Sequence, residues 1–352
     1  MNINNRERLE FIDITKGIAI ILVVFGHIIS NNNDKIQIWI YSFHIPIFFI
    51  ITGILYNNSS STTLSAKKFI KKKAKQLMYP YATFGGVFLL RYFIQVILGF
   101  GEFNTLFVFF IDLITLIGVG VLWFLPTIFI AEAIFKVIMN QNKYIRRIFF
   151  AILFTLTGVI SIMVRYKLKW NIEKVSFDMY IIFISRVLVG TLFLAVGYYL
   201  NAFIQSCKKL KLWITFFLII SVTFSMLNGS VDLNKFILNN PILYYINAIS
   251  GSLFIIFLSK CMVEIKVLKF FGKNSLIVMV THSIFGTYQL VYSAVNKAEI
   301  FRNSYYIDKL FILVVTMLIE IIIILVINNY FNFLIKIPKF HREDKKSGSK
   351  KR

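Results

Sequence analysis

The first apolar segment of the chain carries three ionisable side chains at spacings that suit proton transfer. Lys16 and His27 are eleven residues apart, which at about 100° per residue brings them within about 20° of each other on a helix. Asp13 lies about 40° from the same face. One stripe therefore carries an acid, a cation and an imidazole, and imidazole is the side chain best suited to exchange a proton near neutral pH. A plainer interpretation is that Asp13 and Lys16 mark the helix start and an anchoring cation, and that His27 caps the other end.

Two further histidines are expected near the level of His27. His44 comes two residues before Pro46, and proline fits the first turn of a helix, so His44 is predicted at or just before a helix start. The first apolar segment runs away from the N-terminal side and the second returns, which places His27 and His44 toward the same side. His282 lies within a later apolar segment. Three of the four histidines are therefore expected at comparable depth.

The composition indicates that lipid, rather than water, is the solvent for most of the chain. Of the 352 residues, 58% are hydrophobic, only 16% are charged, and 38 are phenylalanine. A soluble domain of this length needs roughly 25% charged residues to cover its surface. The charges here fall in short clusters between long apolar runs, so the composition excludes an ordinary soluble globule.

The apolar runs are long enough to cross a membrane as helices. A spanning helix needs about 20 mostly apolar residues, because the hydrocarbon layer is about 30 Å thick and a helix rises about 1.5 Å per residue. Ten spans are predicted, near residues 17–30, 40–57, 78–99, 119–139, 145–164, 180–203, 212–228, 241–261, 270–292 and 308–335. Residues 103–118 are apolar but short and contain Asp112, so they are predicted to re-enter the membrane or lie on it. The predicted fold class is all-α, a polytopic bundle of about ten transmembrane helices.

The positions of Lys and Arg predict the orientation of the bundle. Segments on the N-terminal side of the membrane hold 27 of these residues, and segments on the opposite side hold nine. Under the positive-inside rule both termini are expected in the cytoplasm, in a multi-pass protein of the cytoplasmic membrane. Because the net charge of +23 follows this pattern, membrane lipids are expected as partners and nucleic acid is not. We predict one transmembrane domain over residues 1–340 and a basic cytoplasmic tail over 341–352.

Ionisable residues within the predicted spans are few. Such a side chain costs several kcal/mol inside a bilayer unless it is paired or faces a cavity. Arg91 is expected to face an internal cavity. Glu132 and Arg186 are expected to be structural partners, because opposite charges often pair within a bundle. Glu320 lies in no motif and is expected to serve packing.

The ordered motifs resemble those of the bacterial membrane acyltransferase 3 family, and they are most similar to its fucose 4-O-acetylase-like branch. The family opens with an aspartate, a basic residue before glycine, and a histidine eleven residues after the basic one, which correspond to Asp13, Lys16-Gly17 and His27. Further resemblances lie at residues 43–53, 67–75, 79–81, 123–126, 190–197 and 272–282. The resemblance covers nearly the whole chain.

Three positions depart from the pattern of the family. Lys16 stands where many members have arginine, Thr52 where serine is usual, and Met279 where tyrosine is frequent. Lysine keeps the positive charge, but it lacks the planar fork with which arginine binds phosphate. The contact that Lys16 makes with a ligand is therefore expected to differ from that of an arginine.

The resemblance implies transfer of an acyl group, usually acetyl, from cytoplasmic acetyl-CoA to a hydroxyl of a cell-surface or lipid-linked sugar or polysaccharide. An alcohol is a poor nucleophile until a base takes its proton, and His27 is expected to be that base. Asp13 is expected as a second catalytic residue that orients groups or balances charge. Direct transfer and transfer through an acyl-imidazole both remain open.

Residues for the donor and the acceptor also follow from the resemblance. CoA carries several phosphates, so Lys16, Lys72, Lys73 and Arg91 are expected to bind it. For the lysine cluster, a topology signal alone is an equal alternative. The residues expected at the acceptor are His44, His282 and Trp123, with an interfacial anchor as the alternative for Trp123. No spacing of metal ligands is present, and no metal is expected.

Two other classes of protein fit parts of the sequence. A transporter or flippase of a sugar-containing lipid would also have many helices and buried ionisable residues. Against it, the sequence shows no paired halves with matching broken helices, and the polar residues concentrate in the first three helices. A sensor is a third class, but nothing at either end resembles a signalling domain.

Overall fold

The chain folds as a bundle of α-helices. The computed structural model describes residues 3–58, 61–169, 175–262, 264–298 and 305–338. The first seven helices are α1 Ile3–Ile29, α2 Lys35–Tyr41, α3 Pro46–Asn57, α4 Ala66–Ile97, α5 Phe103–Ile114, α6 Phe124–Met139 and α7 Lys143–Lys169. The others are α8 Val175–Ser206, α9 Leu210–Asn228, α10 Pro241–Cys261, α11 Lys266–Lys273, α12 Ser275–Ile284, α13 Thr287–Ala298 and α14 Tyr305–Tyr330. The tail predicted over 341–352 lies outside the described residues.

The polytopic all-α fold predicted from the sequence is confirmed. In the described part of the chain, eight helical segments are long and apolar enough to cross a membrane. They correspond to all the predicted spans except the third and the ninth. The third overlaps residues 78–97 of α4, a helix of 32 residues that begins in the lysine cluster. The segment predicted not to span contains α5, which at 12 residues extends only about 18 Å.

The ninth span was predicted as one helix over 270–292, and this is wrong. The segment is divided into α11, α12 and α13, with a first break at Asn274 and a second at Phe285 and Gly286. Gly286 has a φ of +66°, a backbone conformation that favours glycine. Polar residues flank both breaks, but they also occur within continuous helices of this chain, so hydropathy alone does not locate the breaks. The break lies three residues after His282 and so determines the position of that side chain.

Helix α1 lies at the centre of the bundle. Its first half packs into one hydrophobic cluster through Phe11 and Ile12. Its second half packs into the other cluster through Val24 and Ile28. The stripe of ionisable residues on α1 is therefore held between the two parts of the core.

Glycines let α1 and α11 approach backbone to backbone. A Cβ atom on Gly17 would overlap the carbonyl oxygen of Leu268, and a Cβ atom on Gly272 would overlap that of Asp13. Only glycine leaves room for such close packing between helices. This contact holds the half of the stripe that carries Asp13 and Lys16 against α11.

Candidate active site

The C-terminal half of the stripe on α1 ends in a group of aromatic rings around His27. The ring centroid of His27 lies 5.3 Å from that of His282, 6.1 Å from Tyr288 and 6.4 Å from Tyr41. Helices α12 and α13 carry His282 and Tyr288, and Tyr41 ends α2. His27 is half-buried, so these three residues form the immediate surroundings of its imidazole.

The tautomer of His282 follows from its hydrogen bond. Nδ1 of His282 lies 2.7 Å from the carbonyl oxygen of Val278. Because a carbonyl oxygen only accepts, Nδ1 must carry the hydrogen, and Nε2 of a neutral ring then presents a lone pair. His282 is fully buried, and within the described residues its Nε2 has no hydrogen-bond partner. A buried acceptor without a donor is costly, so it suits a donor supplied by a ligand.

His44 lies in the loop where the sequence predicts it, directly before α3. Pro46 occupies the first turn of α3, as expected. Nδ1 of His44 lies 3.0 Å from the carbonyl oxygen of Ile40 and therefore donates to it. The ring of His44 lies 4.6 Å from the ring of Tyr41, which itself contacts His27. The three histidines thus lie in one region, and His44 reaches it through Tyr41.

The opposite end of the stripe is surrounded by charged residues. Asp13 and Lys16 are half-buried on α1 and lie within electrostatic range of each other. Asp13 also lies within range of Lys273, and Lys16 within range of Lys73. Positive side chains from α1 and α11 thus lie near the Asp13 carboxylate, and Lys73 of α4 lies near Lys16. On a straight helix, Lys16 and His27 are about 16.5 Å apart along the axis.

Two of the lysines predicted to bind the donor have different surroundings. Nζ of Lys73 lies 2.5 Å from Oε1 of Glu132, and the Glu132 side chain is only 4% exposed. Lys72 is exposed on α4. The predicted partnership of Glu132 with Arg186 is wrong, because Lys73 takes the carboxylate instead. Sequence cannot separate Lys73 from its neighbours, since all of them belong to one lysine-rich helix start.

The comparison with protein families covers almost the whole bundle. The model of the acyltransferase domain of the acyltransferase 3 family matches residues 9–335, from the turn before Asp13 to the end of α14. The chain belongs to the acyltransferase 3 family. Searches of curated proteins and of solved structures returned no significant match. Membership makes the chain a membrane acyltransferase, which favours the enzyme over the transporter and the sensor.

Trp123, which was predicted at the acceptor, packs against Arg186 in this acyltransferase. Trp123 is 6% exposed, and the guanidinium of Arg186 lies 5.0 Å from its ring. Arg186 also donates to Oδ1 of Asn234 at 3.1 Å. An interfacial anchor would be exposed to lipid headgroups, so that interpretation of Trp123 is wrong.

Arg91 is separated from the lysines of α4 by the length of the helix. It lies eighteen residues after Lys73, which is about 27 Å along the axis, so the two side chains do not form one phosphate site. Arg91 is half-buried, and its guanidinium lies 5.6 Å from the ring of Phe88. Its Nε is buried without a hydrogen-bond partner in the described part of the chain.

Several residues that surround the site were missed in the sequence. Tyr41 and Tyr288 contact His27, but tyrosine is common in this chain and nothing in its spacing singles these two out. Lys273 lies near Asp13, and the signal that could have found it is its place beside Gly272 in a family landmark. Glu320, expected to serve packing, accepts hydrogen bonds from Thr281 and Thr287. Among the described residues, no group of three His, Cys, Asp or Glu side chains could hold a metal ion.

Proposed function

We propose that this acyltransferase moves an acetyl group from cytoplasmic acetyl-CoA to a hydroxyl of a cell-surface or lipid-linked sugar. The observation that carries the proposal is the stripe on α1, with a cation-rich end at Lys16 and an imidazole cluster at His27. CoA has the same polarity, with phosphates at one end and a thioester at the end of a flexible arm. Both ends of the donor therefore find suitable chemistry along one helix.

His27 is the general base of the proposed reaction. Its imidazole nitrogen takes the proton of the acceptor hydroxyl while the hydroxyl oxygen attacks the thioester carbonyl. The carbon–sulfur bond then breaks, and the thiolate of CoA leaves with the proton that the His27 imidazolium returns. The lone pair on Nε2 of His282 supports this role, since it can accept a hydrogen bond from another hydroxyl of the sugar and so orient the acceptor beside His27.

The donor is held by the cation-rich end in this proposal. Lys16, Lys73 and Lys273 offer positive charge to the phosphates of CoA, and Asp13 balances part of that charge when the donor is absent. The acceptor enters from the opposite side, past Tyr41, Tyr288 and His44. Tyrosine hydroxyls and imidazole nitrogens are suited to hydrogen bonding with a sugar. The side assignment rests on the positive-inside distribution of Lys and Arg.

The experiment uses purified full-length protein in lipid vesicles with acetyl-CoA labelled in the acetyl group. The label is followed into sugars of the host's envelope fraction, and the products are identified by mass spectrometry. The proposal expects an ester-linked acetyl group that alkali removes. Transfer from another acyl-CoA but not from acetyl-CoA contradicts the donor assignment. Transfer only to an amine contradicts the acceptor assignment.

A further inference from the structure

A buried carboxylate joins the two helices on either side of the break after His282. Glu320 of α14 is 0% exposed. Its Oε2 accepts from Oγ1 of Thr281 at 2.6 Å, and its Oε1 accepts from Oγ1 of Thr287 at 2.8 Å. Thr281 belongs to α12 and Thr287 begins α13. One side chain therefore bridges the interruption that the ninth predicted span contains.

This carboxylate is an exception on its own helix. Helix α14 is the most apolar of the eight candidate spans in the described part of the chain. A residue needed only to fill this space would be apolar, because burying a carboxylate is costly unless donors satisfy it. Both oxygens of Glu320 have such donors. The polar group is therefore matched to the two threonines.

The two threonines are the immediate neighbours of rings that contact His27. Thr281 precedes His282, and Thr287 precedes Tyr288. Oγ1 of Thr287 also lies 3.2 Å from the carbonyl oxygen of His282. A shift of either threonine would move the adjacent ring. The position of Nε2 of His282 relative to His27 thus depends on the contacts of Glu320.

We propose that Glu320 is a positioning residue for acyl transfer. Its carboxylate accepts hydrogen bonds from Thr281 and Thr287 on the two sides of the break. These two contacts, called the clasp below, hold His282 and Tyr288 against His27. Glu320 touches no reacting atom in this role. The inference rests on the proposed function, because it takes His27 as the site of the reaction. It adds a residue that fixes the positions of His282 and Tyr288 on the acceptor side of that site.

Two substitutions at Glu320 separate positioning from mere folding. Glu320→Gln keeps an oxygen that accepts and adds an amide that donates, and a threonine hydroxyl can pair with either. Glu320→Leu removes both contacts. Because Glu320→Gln keeps both contacts with the threonines, its rate of acetyl transfer is expected to stay within about threefold of the wild-type rate. It expects Glu320→Leu to lower kcat at least about tenfold while the KM for acetyl-CoA stays unchanged, because the donor's phosphates bind at the other end of α1.

A matched control lies one turn away on the same helix. Thr316 is buried on α14, and among the described residues its hydroxyl has no hydrogen-bond partner. Thr316→Val therefore removes a buried polar group without removing a contact, and transfer is expected to remain as in the wild type. If Thr316→Val and Glu320→Leu lower kcat equally, the effect belongs to the helix as a whole and the proposal is overturned.

A distance measurement tests the clasp without any reaction. Spin labels are placed at two exposed positions, Leu290 on α13 and Leu227 on α9, in protein whose native cysteines are replaced by serine. Glu320→Leu is expected to broaden the distance distribution, whereas Glu320→Gln and Thr316→Val leave it narrow. An unchanged distribution in Glu320→Leu overturns the clasp, even if acetyl transfer is observed. A wild type without acetyl transfer refutes the proposed function, and the distances then decide the clasp alone.

Discussion

The imidazole rings of His27 and His282 lie 5.3 Å apart, although one residue belongs to the first helix and the other to α12. The helical segment is interrupted at both ends of α12, and these breaks place the ring of His282 beside that of His27. Among the described residues, Nε2 of His282 has no hydrogen-bond partner. The pair is therefore the part of the bundle where a ligand with two hydroxyl groups could donate one hydrogen bond to each ring.

The first prediction concerns the cation at the donor end. Lys16→Ala is expected to raise the KM for acetyl-CoA about tenfold, which corresponds to about 1.4 kcal/mol, because the negative charge of the phosphates is no longer balanced. The effect on kcat is expected to be smaller. Lys16→Arg is expected to retain most of the wild-type affinity for acetyl-CoA, since it keeps the positive charge. Steady-state kinetics at varied acetyl-CoA measures both. Lys143→Ala is the control, because Lys143 is exposed on a different helix, and an equal rise in KM there would remove the specific role of Lys16.

The second prediction concerns the ion pair between α4 and α6. Lys73→Ala leaves the carboxylate of Glu132 buried and unpaired, which is expected to destabilise the protein by about 3–5 kcal/mol. The double variant Lys73→Met with Glu132→Leu removes both charges and is expected to recover most of that loss. Thermal unfolding in detergent compares the variants.

The same pair of variants separates structure from donor binding. If Lys73 also contacts CoA, the stable double variant keeps a raised KM for acetyl-CoA. A double variant with wild-type stability and wild-type KM would show that Lys73 serves the ion pair alone. A double variant as unstable as Lys73→Ala would contradict the coupling of the two side chains.

The third prediction concerns the close contact of α1 with α11. Gly272→Ala places a Cβ atom where the carbonyl oxygen of Asp13 lies, and overpacking of this kind costs about 1–3 kcal/mol. Gly158→Ala is the matched control, because no atom lies within 4 Å of the added Cβ and alanine is the better helix former. The unfolding temperature is expected to fall for Gly272→Ala and to stay or rise for Gly158→Ala. Equal shifts would show that the backbone contact does not limit stability.

Much of the fold follows from local patterns in the sequence. Runs of apolar residues predict most spans, because a helix that faces lipid must be apolar along its whole length. The start of α3 at Pro46 was predictable because proline fits the first turn of a helix. The continuous helix that carries Lys16 and His27 was predictable from its long apolar run. These features depend only on residues that are close together in the chain.

The predictions that were wrong concern features that depend on which helices pack against each other. Nothing near Glu132 indicates that Lys73 rather than Arg186 is its partner, because the choice is made by the packing of α4 against α6. Glu320 likewise has no local motif, and its role appears only when α14 meets the break after His282. Polar residues flank that break, but they do not distinguish it from the polar face of a continuous helix. Pairing inside the bundle is a tertiary property, and a single sequence does not encode it locally.

The account depends most directly on His27 as the base that activates the acceptor hydroxyl. His27→Ala should reduce the rate of acetyl transfer to the sugar by about 10²- to 10⁴-fold, the usual contribution of a general base, while binding of acetyl-CoA and the unfolding temperature stay near wild type. His341→Ala, at the fourth histidine of the chain, serves as the control and should keep wild-type activity. Transfer at the wild-type rate by folded His27→Ala protein would contradict the account.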